Sequence, residues 1–257
     1  MLFSHLENYF VVEWPAPSNI RATTTLRTGG HSKGPFSSFN LGYHVNDDPQ
    51  SVRYNHEKLI RELDLLTPPY WLNQIHGTHA VQIEPTLPTN TTLTADASFT
   101  QHPNLVCAIM TADCVPILLC NKKGTLVAAI HAGWKGLLGD IIAKTINSLP
   151  CSPNDLMAWI GPAIGPDHFE INETIYNSFI QKNSVLKEAF FQPTPQQWYA
   201  DLFTLTRLIL NQNQIKEIFG GHWCTYREHD LFFSHRRDGG ITGRMATLIW
   251  LENLSRI

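Results

Sequence analysis

At 257 residues, 43% hydrophobic and 16% charged, the chain has an ordinary globular composition and enough length to bury a sizeable core. Its formal net charge of −3, with lysine and arginine nowhere in a run, excludes a nucleic-acid footprint. No apolar stretch reaches the ~20 residues of a membrane helix, and Met1 to Glu7 lacks the charged-then-apolar pattern of a secretory leader. Five cysteines (107, 114, 120, 151, 224) are an odd count for a disulfide scaffold, so a reducing cytoplasm is the expected setting.

In chain order, residues 20–27 are threonine-rich and β-branched and run into Gly29-Gly30, which predicts a strand feeding a turn. Asp48-Pro49 reads as an N-cap with proline at the first helical position; Val52, His56, Leu59 and Leu63 follow at helical spacing, and Pro68-Pro69 is the expected stop. Residues 105–110, 115–120 and 126–130 are short apolar runs separated by turn residues, the pattern of buried strands. Leu137, Leu138, Ile141, Ile142, Thr145, Ile146 and Leu149 then form one helical face. A strand is expected over 156–160, closed by Gly161 to Pro166. Helices follow near 172–182 and 201–212, and a final strand spans 246–251, where the apolar Leu248 to Leu251 is expected in the core.

Three residues stand in glycine- or acid-marked settings: His76 in Asn-Gln-Ile-His-Gly, Cys114 in Thr-Ala-Asp-Cys-Val-Pro and His131 in His-Ala-Gly-Trp-Lys-Gly. Two imidazoles and a thiolate are a ligand set of open catalytic zinc sites, with a fourth position for water or substrate. Separations of 38 and 17 positions are too long for a zinc finger or a helical His-Glu-x-x-His site, so three separate segments must converge. His79 is excluded, because residues three apart on a strand face opposite ways. Asp113 is the candidate carboxylate to orient a ligand histidine or relay a proton.

Rival readings use the same atoms. A buried cysteine is ordinarily a small hydrophobe. Cys114 with His131 also makes a nucleophile–base pair of the cysteine-hydrolase kind, which leaves His76 unexplained. His₂Cys suits copper as well, yet no methionine follows Cys114 closely and no His-x-His pair occurs.

The chain resembles the YfiH-type proteins, the laccase-domain or polyphenol oxidase family linked to purine nucleoside metabolism. The resemblance runs through Arg27-Thr-Gly-Gly30, Phe39-Asn-Leu-Gly-Tyr-His-Val45, Asn73 to Gly77, Ala95-Asp96-Ala97, Thr111 to Pro116, His131 to Gly136, Gly161 to Pro166, Phe233 to Asp238 and Thr242-Gly-Arg244. It implies that His76, Cys114 and His131 are the metal ligands, zinc first and copper second, within one domain over 1–257. It also implies an α+β fold of mixed sheets flanked by helices, in α/β/β/α layers, related to toxin deamidases.

The implied activities are phosphorolysis of adenosine, inosine, guanosine and methylthioadenosine, and adenosine deamination, the reaction a Lewis-acidic centre serves most directly. The partners are then purine nucleosides and phosphate. A cysteine hydrolase or a cell-wall (peptidoglycan) editing factor is the alternative. Arg27 and Arg244 are candidates to cradle phosphate, and Asn40 and Asp96 to bind ribose hydroxyls or the base edge. Three departures from the family pattern stand out. Lys135 replaces an arginine and loses its bidentate fork; Asp167-His168-Phe169 replaces a cysteine-bearing segment; and His56 replaces an arginine after Asn55.

Overall fold

A computed structural model describes residues 7–253. The first six residues, most of the segment read above for a leader, and the last four lie outside it. Two sheets stack face to face. One has four antiparallel strands in the order Tyr9–Val11, Ile20–Thr25, Met245–Leu251, Val106–Thr111. The other has six, in the order Glu217–Gly220, Leu156–Ile160, Val115–Asn121, Val127–Ala132, Ala97–Thr100, Ala80–Gln82, antiparallel within and parallel at both edges.

Side-chain alternation explains why these strands read as continuous apolar runs. In Val115–Asn121, Leu118 and Cys120 meet the four-stranded sheet while Ile117 and Leu119 meet the helices Ile141–Ser148 and Leu202–Gln212. In Met245–Leu251, Ile249 and Leu251 face the inter-sheet core, and Ala246, Leu248 and Trp250 pack under Leu59 and Leu63 of the helix Pro49–Glu62 and its C-cap. The layers therefore run helix, sheet, sheet, helices, which is the α+β, α/β/β/α architecture expected. The stretch 248–251 is core.

The helix starts follow side-chain chemistry. Asp48 accepts from the N–H groups of Gln50 and Ser51, Asn172 from Ile175, and Asp201 from Phe203 and Thr204. Some boundaries differ from expectation. The first long strand stops at Thr25 because the N–H groups of Leu26 and Arg27 turn to Asn8 O and Leu231 O. The helix begun at Pro49 ends at Glu62, ahead of Pro68, with Asp64 in the left-handed region at φ 48°. The apolar face over 137–149 belongs to two helices, Trp134–Leu138 and Ile141–Ser148, broken where Asp140 takes φ 72°. No helix among the described residues is long and apolar enough to cross a membrane.

His56 sits on the inner side of its helix between the rings of Tyr43 and Trp71, centroids 5.0 and 4.6 Å away, with Nε2 2.7 Å from Leu41 O. Burial lowers its pKa below the ordinary value, and the hydrogen bond to Leu41 only partly opposes this. The unfolded chain therefore binds this proton first as pH falls. The stabilising effect of the neutral ring is complete above ~6.5 and declines below it by up to about 1.4 kcal/mol per pH unit, until the folded-state pKa is reached. Urea unfolding at pH 7.5 and 5.5 is expected to show a smaller acid loss of stability in His56→Gln than in the native sequence. Equal losses in the two proteins would refute this account.

Candidate metal centre

Cys114 and His131 come from neighbouring strands of the six-stranded sheet. Val115 pairs with Ala132 and Pro116 with His131, so Cys114, one residue before its strand, lies beside the end of the other. His131 is inside its strand and 3% exposed, not past its end as the sequence suggests. His76 arrives on a loop, with φ 57°, a backbone region that costs a β-carbon-bearing residue of order 1 kcal/mol or more.

Asp96 holds that loop in place. Its carboxylate accepts from the N–H groups of Ile75 (3.3 Å), His76 (2.9 Å) and Gly77 (2.6 Å), and from Nδ1 of His131 at 2.8 Å. The backbone explains the placement: His131 N–H donates to Asp96 O across adjacent strands. Asp96 is 0% exposed. Burial resists its charge, but the His131 ring and the loop N–H groups hold the carboxyl below the usual carboxylate range.

With Nδ1 of His131 committed to Asp96, its Nε2 is left for the cluster. One donor atom each from His76, Cys114 and His131 lies within 4.8 Å of the others. Cys114 Sγ is 3.8 Å from His76 Nε2, close to the ~3.6 Å that Zn–S and Zn–N bonds near 2.3 and 2.05 Å would set across a tetrahedral angle. The donor set thus fits a metal ion, and the group could hold one. Burial opposes the Cys114 thiolate, but the charge of His131 and hydrogen bonds from His131 and His76 outweigh it and bring the thiol down to about 6. The thiolate and Asp96 in turn raise His131 despite its burial. Gly133 keeps the site open: its φ of −72° suits any residue, yet a β-carbon there would lie 2.9 Å from Cys114 Sγ and 3.0 Å from the His76 ring.

The other sequence candidates fall in different places. Asp113 makes no hydrogen bond to the cluster histidines among the described residues. Its carboxylate accepts from Thr225 Oγ1 (2.6 Å) and Arg236 N–H (2.7 Å), tying distant loops behind Cys114. Asp113 lies in the bend before the strand with φ 86°, and the carboxylate bonded to His131 is that of Asp96. Asp96 and Asn40 are both 0% exposed, their side chains engaged in hydrogen bonds within the protein. Asn40 Oδ1 accepts from Gly42 N–H and Arg244 N–H, and its Nδ2 donates to Asp47 at 2.9 Å. Arg27 lies elsewhere, its guanidinium donating to Ser37 O and His229 O beside Asp230 and Arg237. Lys135 is exposed over the Trp134 ring.

Asp167 and His168 line a separate cavity of about 250 Å³ with Arg207, Cys224 and Arg227. Of the four proposed substrate residues, Asp96 supports the cluster directly, and Arg244 is within electrostatic reach of it, where Cys114 and Asp113 act on its charge. His44, given no role from sequence, is there too, within electrostatic reach of Arg244 and His131.

The chain matches the family model described as multi-copper polyphenol oxidoreductase laccase over residues 21–252. It is 40% identical over 248 residues to the purine nucleoside phosphorylase YfiH of Escherichia coli, covering 96% of this chain and 100% of that one. It is also 40% identical over 242 residues to a purine nucleoside phosphorylase of Pseudomonas aeruginosa, covering 94% and 97%. Among solved structures, a Neisseria meningitidis protein of the DUF152 family superposes with a TM-score of 0.90 at 42% identity, covering 96% and 100%. The YfiH protein of Bacillus licheniformis superposes at 0.85 with 32% identity, covering 91% and 93%. The two-sheet frame, the motif blocks strung along it and these near full-length matches lead to one assignment: the chain belongs to the YfiH family of laccase-domain proteins.

Proposed function

We propose that this chain is a zinc-dependent purine nucleoside phosphorylase acting on adenosine, inosine, guanosine and methylthioadenosine, and that it also deaminates adenosine. The observation that carries the reading is the juxtaposition of the His76–Cys114–His131 cluster with Arg244; the names of the relatives support the substrate class. In phosphorolysis an oxygen of HPO₄²⁻ bonds to C1′ and the C1′–N9 bond breaks. Its electron pair goes to the purine, and the phosphate's proton ends on the base. Arg244 holds the incoming anion, Asp96 fixes His76 and His131, and Gly133 leaves the substrate room. A bound zinc ion supplies Lewis acidity. The core shared by the two sheets supports one catalytic unit over 1–257, and a reducing cytoplasm suits its free thiols.

A second reading has one observation in its favour. Cys114, His131 and Asp96 stand in nucleophile–base–carboxylate order, the arrangement of a metal-free cysteine hydrolase. Metal analysis and product analysis separate the two. The purified protein is expected to carry about one zinc per chain, to release adenine from adenosine only with phosphate, and to form inosine without it. Full activity after chelation moves the assignment to the metal-free reading, and neither product from the zinc-loaded protein overturns it.

A further inference from the structure

Arg244 is a partly buried cation with no direct ion pair among the described residues, although Cys114 and Asp113 lie within electrostatic reach. Nη1 donates to Thr242 O (2.9 Å) and Gly243 O (3.0 Å), while no carboxylate among the described residues bridges the guanidinium and no hydrogen bond there engages Nε or Nη2. With Nε and Nη2 free of protein partners among the described residues, the guanidinium keeps donors for an anion. Asn40 fixes this arrangement, because one amide oxygen takes the N–H groups of both Gly42 and Arg244 at 2.9 Å and locks the two segments together.

Gly42 is the key to what the two segments form. Its φ of −92° and ψ of 111° are open to any residue, so backbone freedom does not explain the glycine. Space does. A β-carbon at Gly42 would stand 2.9 Å from Arg244 Cγ and 3.3 Å from His44 Cε1. The imidazole of His44 and the stem of Arg244 converge on the point that glycine vacates.

From this convergence we infer that His44 and Arg244 form the two walls of an oxyanion subsite for the phosphate co-substrate, beside the metal cluster, and that Gly42 is the spacer that lets them close. His44 contributes an N–H donor to a phosphate oxygen, and Arg244 contributes Nε and Nη2, a neutral and a charged donor set suited to HPO₄²⁻. Burial and the neighbouring Arg244 and His131 favour the uncharged imidazole, so His44 donates as a neutral ring beside the Arg244 charge. The inference rests on the phosphorolytic reading and adds two residues to it.

The test compares the metal-loaded native protein with His44→Ala, His44→Gln and Gly42→Ala, each shown folded by circular dichroism and its melting curve. Loss of a hydrogen bond to a charged acceptor is expected to raise the KM for inorganic phosphate roughly tenfold or more in His44→Ala and Gly42→Ala. The KM for inosine should stay within about twofold. His44→Gln, which keeps an N–H donor, should recover part of the phosphate affinity. Folded variants with unaltered phosphate KM, or with phosphate and inosine KM raised together, would overturn the subsite. If the native protein releases no base at all, the phosphorolytic reading fails by itself. Phosphate titration by calorimetry then judges the subsite: weaker binding to His44→Ala supports it, and equal or absent binding overturns it.

Discussion

Cys114→Ser is expected to lower kcat for inosine phosphorolysis by about three orders of magnitude or more while moving the melting temperature only a few degrees. The partly buried thiol makes no hydrogen bond to a backbone group among the described residues; its neighbours are the His76 ring at 3.8 Å and the His131 ring. Exchanging sulfur for oxygen leaves the Asp96–His131 pair and the loop intact. It removes the one group here that is anionic near neutral pH and soft enough to hold zinc tightly. Zinc content should fall with kcat. A serine variant that retained more than a tenth of native turnover with full zinc would sink both the metal centre and the nucleophile reading.

Asp96→Asn should be the most destabilising change near the site, by about 3–5 kcal/mol, and should weaken zinc by about 10- to 100-fold. Four N–H donors point at this buried carboxylate. An amide of the same shape turns an NH₂ group onto at least one of them, and it removes the charge that holds His76 in a left-handed backbone conformation. Urea unfolding of the metal-free proteins and chelator competition for zinc measure the two effects separately. If Asp96 instead bound ribose, its amide variant would raise the nucleoside KM and leave zinc affinity alone.

The sequence made the framework legible wherever burial was two-sided. Residues 115–120 and 246–251 read as strands because alternate side chains fill two cores at once. The short edge strands Ala80–Gln82 and Glu217–Gly220 carry no such run and passed unseen, as did the small sheet of Glu170–Ile171, Gln197–Ala200 and Phe190–Thr194. The three cluster residues were legible from motif context. Their supports were not, because Asp113 is adjacent in sequence whereas Asp96 is adjacent only across the sheet. A signal was present: Ala95-Asp96-Ala97 puts one charge between small apolar residues, all three 0% exposed, and a buried charge demands partners. His44 had no comparable mark. Its position emerges only when the Asn40 clasp joins segments 204 residues apart.

The rung that sets Val115 against Ala132 and Pro116 against His131 also changes how relatives should be recognised. The spacing between the cysteine and the second histidine is simply the length of a hairpin. Adding one residue to each of its two strands would lengthen that interval and leave the mouth of the hairpin, with Cys114 and His131, unaltered. Adding a residue to one strand alone would turn one of the two side chains to the opposite face. Homologues with longer or shorter intervals are therefore compatible with the same centre when the change is even and shared. A fixed-gap pattern would discard them, and a search keyed to strand pairing would retain them.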